Sequence, residues 1–197
     1  MKFLKTFTSP LLVILAAALI RLFPHTPNFA PIGAMALFGG AYLNKKYSII
    51  IVLLTMLVSD YLLLYVNPFS PTWINFSKVY PPTSLIHSST LYIYGSFMIY
   101  YLIGRLIAKR KSVATVGVGA LAAALQFFLI TNAAVWINGA YARDLSGLWQ
   151  SYVMGIPFFK GTLLGDLFYT GVFVGGYEII KKLIDARGPA TSRFPAR

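Results

Sequence analysis

Nine side chains have the types and positions to bind or react: Arg21, His25, Asn28, Asp60, Tyr80, Asn132, Trp136, Lys160 and Asp166. The chain has only five acidic residues, and Asp60 and Asp166 lie inside apolar stretches. A buried ionisable group there is costly and points to function by default. Arg21 and Lys160 sit at the ends of apolar stretches. Arg21 with Asp60, and Lys160 with Asp166, can neutralise one another, either locking segments together or holding a charged ligand. Two aspartates on separate stretches could instead share a proton and activate water, as an intramembrane aspartyl protease requires. Gly165-Asp166 supplies only the end of a Gly-x-Gly-Asp pattern, because Leu163 stands at the first Gly position. Asn132 and Trp136 are one turn apart and share a face if helical. His25 and His87 lack the fixed local spacing of metal ligands. The chain has no cysteine, which excludes disulfides, thiolate metal sites and cysteine nucleophiles. The expectation is a binding protein, not an enzyme, with no cofactor and no metal.

The composition says what must position these groups. Of 197 residues, 57% are hydrophobic and 11% charged, whereas a soluble domain carries about 25% charged residues. Six apolar segments can be drawn, at about 7–23, 31–43, 47–66, 90–108, 113–137 and 157–184. The expected fold is all-α: a polytopic membrane protein with six transmembrane helices in one domain, 1–187, followed by a disordered tail, 188–197. Thirteen of the seventeen Lys and Arg fall before the first segment, in alternate gaps, or after the sixth. That is the positive-inside pattern, and it puts both termini in the cytoplasm of a bacterial inner membrane. The net charge of +12 is therefore topogenic, with lipid as the partner and not nucleic acid. The basic, apolar N-terminus resembles a signal peptide, but its apolar run continues to Phe23, so an uncleaved first helix is expected.

Pro10 is expected in the first turn of that helix. The second segment is rich in small residues, with Ala36 and Gly40 in small-xxx-small spacing, and reads as a central buried helix or a short re-entrant hairpin. Gly161/Gly165 and Gly171/Gly175 have the same spacing and read as helix-packing surfaces. Residues 67–89, with Tyr80, and 138–156 are expected as outward loops. All nine candidate residues then fall towards the outer side, where an aromatic-lined concavity with a few polar anchors would suit a small molecule. The competing readings are ion pairs that only lock helices, and a structural or assembly subunit without a ligand.

The stretches 28–42, Ser59-Asp60, Tyr94-Gly-Ser-Phe97 and 156–169 resemble a bacterial family of small integral membrane proteins of unknown function. That family in turn resembles the substrate-binding S components of energy-coupling-factor (ECF) vitamin transporters. The resemblance rests on six spans, cytoplasmic termini, and Phe38-Gly-Gly-Ala-Tyr-Leu followed by a span ending in an acidic residue. It implies a six-helix bundle that captures a vitamin or vitamin precursor, such as cobalamin, at the outer face. It also implies toppling in the membrane on an ATP-driven energising module. S components carry AxxxA spacing on the first helix for docking that module. Here Ala16, Ala17 and Ala18 are contiguous and Ile20 stands four after Ala16.

Overall fold

A computed structural model describes residues 2–69 and 85–186, with side chains from residue 10 onward. Tyr80 and the expected tail lie outside the described residues. The described chain forms six helices: α1 (Lys2–Ile20), α2 (Ile32–Tyr42), α3 (Ser48–Leu62), α4 (Thr90–Ile107), α5 (Val113–Ile137) and α6 (Leu145–Ala186). Of these, α4, α5 and α6 are long and apolar enough to cross a membrane; α1, α2 and α3 contribute shorter apolar stretches. Leu54, Leu57 and Val58 on α3, Leu121, Leu125 and Leu129 on α5, and Leu164, Phe168 and Val172 on α6 are all exposed. Soluble monomers rarely expose contiguous apolar surface on this scale, so these stripes mark a membrane protein.

The sequence of α2 has no polar face, and a helix apolar all round belongs in an interior. Every residue from Gly33 to Ala41 is buried, and α2 packs against all five other helices. It is a single helix, the central one expected, and no re-entrant hairpin forms. Its tightest crossing is with α4. A Cβ on Gly40 would collide with the Tyr101 carbonyl, and one on Gly104 with the Leu37 carbonyl, so the two backbones touch. The Arg105 guanidinium donates to the Gly40 carbonyl at 3.0 Å, satisfying an acceptor left open at the end of α2.

Three expectations about element bounds need correction. α1 begins at Lys2, so Pro10 lies inside it and not in its first turn. Residues 145–156, expected in a loop, are helical. Gly139 takes a positive φ of 83° just after α5, and Asp144 then starts α6 by accepting from the Gly147 amide at 2.7 Å and the Ser146 hydroxyl at 2.8 Å. These bonds, the amide's first, hold the Asp144 carboxyl below its ordinary value. Pro157 therefore lies inside a 42-residue helix and does not open one. Third, Gly161 and Gly165 do not seat another helix. A Cβ at Gly161 would press on the Pro27 carbonyl at 2.5 Å, and one at Gly165 on Phe29 Cα at 3.1 Å. The small face of α6 receives the turn at Pro27–Asn28 and the chain that follows it into α2.

Candidate functional site

Arg21 follows the last turn of α1, its amide still bonded to the Ala17 carbonyl at 3.1 Å. One guanidinium nitrogen donates to Asp60 Oδ1 at 2.5 Å and to Ser59 Oγ at 2.7 Å. The Tyr94 hydroxyl donates to Asp60 Oδ2 at 2.5 Å. The expected Arg21–Asp60 pair therefore forms, and with Tyr94 it ties together α1, α3 and α4. Both carboxylate oxygens of Asp60 are engaged.

Asp166 has different company. It is 2% exposed, and the Tyr100 hydroxyl donates to its Oδ2 at 2.5 Å. Its Oδ1 fills the space a Cβ on Gly33 would take, against the first turn of α2. A carboxylate suits that position, because the N-terminus of a helix carries partial positive charge. Tyr100 lies six residues beyond Tyr94 on α4, so Asp166 is deeper than Asp60 by about 9 Å of helix rise. The expected Lys160–Asp166 pair does not form. Six residues on a helix turn through about 240° net, which leaves Lys160 exposed while Asp166 is buried. Asp60 and Asp166 share no hydrogen bond and lie on different cavities, so no proton-sharing pair is assembled.

The cavities join several of the candidate residues. One of about 330 Å³ lies between α1, α3 and α4, lined by Arg21, Asp60, His87 and Tyr94 among others. A second, of about 270 Å³, runs from Arg21, His25 and Asn28 to Gly33, Tyr100 and Asp166, walled by Phe69, Phe97 and Phe127. The two share Arg21, Leu63, Ile93 and Phe97. A third, of about 170 Å³, shares Asn28, Phe127 and Thr162 with the second and reaches Asn132. The short α2 explains the space. Eleven residues rise about 16 Å, so among the described residues the bundle axis beyond the N-terminus of α2 is left to the 24–31 stretch. Asn28 makes that stretch turn, with a φ of 61° that Asn tolerates better than most residues.

Other candidates have structural duties. The Asn132 amide donates to the Phe128 carbonyl at 2.8 Å, and its side chain packs on Gly155 of α6. Trp136 donates to the Ala142 carbonyl at 2.9 Å, pinning the α5–α6 connection. Nδ1 of His25 bonds the Phe23 carbonyl at 2.7 Å, and its ring meets Phe69 edge-on. Among the described residues, no group of three or more His, Cys, Asp or Glu could hold a metal. The reading of the sequence missed Tyr94, Phe97, Tyr100, Phe127 and Thr162. The spacing of Tyr94, Phe97 and Tyr100, each three residues on from the last, was the available signal for an aromatic face on α4.

The opposite end is tied by different contacts. The Tyr42 hydroxyl donates to Glu178 Oε1 at 2.7 Å, and Lys111 Nζ lies 3.7 Å from the Tyr42 ring centre and 4.0 Å from Glu178. Burial pulls the Lys111 amine below its ordinary value, and Glu178 opposes that.

No curated protein and no solved structure matches the chain. Residues 1–189 match a family of unknown function, DUF6580, and with nearly the whole chain covered the protein belongs to that family.

Proposed function

We propose that the protein is a substrate-binding membrane protein that captures a small molecule at the outer face of a bacterial inner membrane for uptake. In this reading all six helices form an S-component-like bundle, both termini are cytoplasmic, and an ATP-driven module is the candidate partner. The observation that carries it is the cavity above α2, which joins Arg21, Asn28 and Asp166 within aromatic walls. It combines an apolar lining with a few convergent polar groups, the usual make-up of a small-molecule site. The basic clusters at Lys45-Lys46 and Lys109–Lys111 lie at the other end of the bundle, as positive-inside orientation requires if the cavity faces outward. Cavities near 300 Å³ are at the small end of the ~300–1,000 Å³ range for ligand sites. That favours a vitamin-like molecule much smaller than cobalamin.

Mass spectrometry of protein purified in mild detergent tests the proposal. A small molecule of defined composition should co-purify, and an Ala30→Trp variant that fills the cavity should lose it. A folded bundle that never carries or binds a small molecule would overturn capture and leave a structural role, for which the saturated Arg21–Asp60–Tyr94 contacts would suffice.

A further inference from the structure

Resting on the capture reading above, we infer that the ligand is an organic cation, with an ammonium or protonated ring nitrogen that docks on Asp166. The argument is one of charge and contact. Among the described residues the ion pairs are Arg21–Asp60 and Lys111–Glu178, and Asp166 belongs to neither. Oδ2 has the Tyr100 hydroxyl, and Oδ1 has no donor among the described residues. Asp166 nevertheless forms part of the wall of the 270 Å³ cavity. The other ionisable groups in that wall are Arg21 and His25. The charge of Arg21 is already met by Asp60, and one ring nitrogen of His25 is committed to the Phe23 carbonyl. Among the described residues the cavity is thus left with one buried carboxyl group and no cation to match it.

A neutral or anionic ligand would leave Oδ1 without a donor and oblige the buried carboxyl to give up its charge by taking a proton, since an unpaired charge is not kept in a low-dielectric interior. A cation would supply the missing donor to Oδ1 and the missing charge together. The surroundings suit a cation in a second way. Phe97, Tyr100 and Phe127 pack with ring centres 5.3 to 6.2 Å apart and line the same cavity. Aromatic faces attract a desolvated cation through their quadrupole. The volume also fits: a dry cavity of ~150 Å³ already accepts benzene, so one ring with a short aminoalkyl arm has room.

The test uses the full chain in detergent, in a buffer free of organic amines, and compares three near-isosteric compounds by calorimetry. These are 2-phenylethylammonium, 2-phenylethanol and phenylacetate. The ammonium should bind at least about tenfold more tightly than the alcohol, a difference of ~1.4 kcal/mol, and phenylacetate more weakly than either. Asp166→Asn should remove the preference for the ammonium while leaving the alcohol's affinity within about twofold. The comparison on the unaltered chain stands even if that variant does not fold. Alcohol or phenylacetate binding as tightly as the ammonium overturns the inference and leaves capture standing. A co-purified molecule without a basic nitrogen does the same. If none of the three binds, the cation assignment falls, and capture is then decided by co-purification alone.

Discussion

Arg21 and Asp60 show how few atoms hold the cavity end of the bundle together. Oδ1 of Asp60 meets the guanidinium and Oδ2 meets the Tyr94 hydroxyl. Removing one partner of a fully buried pair costs ~3–5 kcal/mol, because the other charge is left without compensation. These side chains keep 18% and 23% of their surface exposed, so Asp60→Ala should cost about 2 kcal/mol by the same reasoning. The Asp60→Ala/Arg21→Met double variant should recover part of that loss, since both charges leave together. Thermal unfolding of the two variants in detergent checks this, and a double variant no more stable than Asp60→Ala alone would contradict it. Asp60 and Asp166 were legible in the sequence, because a carboxylate within an apolar stretch stands out. Their partners were not equally legible. Arg21 met Asp60 as charge alone suggests, but nothing in the linear sequence says that Asp166 turns away from Lys160 towards Tyr100. With thirteen tyrosines in the chain, Tyr94 and Tyr100 were hidden by abundance.

Among the elements, α2 and its crossing with α4 matter most, because they fix the floor of the cavity. At Gly40 and Gly104 the obstruction to a Cβ is backbone, which cannot swing aside as a side chain would. Gly40→Ala or Gly104→Ala should therefore cost ~1–3 kcal/mol or more through overpacking. A Cβ at Gly171 would meet nothing within 4 Å, so Gly171→Ala should be neutral or slightly stabilising, Ala being the better helix former. Equal losses at all three positions, read from the same unfolding curves, would refute the backbone contact. Small residues thus announced close approach correctly in α2 but could not name the partner. Gly161 and Gly165 have helix-dimer spacing, yet the backbone they admit is the non-helical 27–30 stretch. The start of α6 was obscured for a related reason. Pro157 is the kind of residue that opens a helix, whereas the real start depends on Asp144, one of several polar residues in a short polar run.

The six helices of the described chain are unequal in length, and in the six-span reading a bilayer would have to accommodate all of them. α3 has fifteen residues and packs with α1, α2 and α4; α5 has twenty-five and packs with α2, α4 and α6. At the helical rise these are about 22 Å and about 37 Å, on either side of a hydrocarbon core about 30 Å thick. In the six-span reading proposed above, lipid touching α3 would be pulled thin while lipid touching α5 would not, unless the bundle tilts, and each ångström of mismatch has a modest cost. Thermal stability in vesicles of phosphatidylcholines with increasing acyl-chain length should therefore pass through a maximum and fall for the longest chains. A steady rise to the longest chain would contradict it. If the low wall and the high wall both cross the bilayer, the bundle should gather where the membrane is thin and be expelled from stiff, thick, ordered lipid.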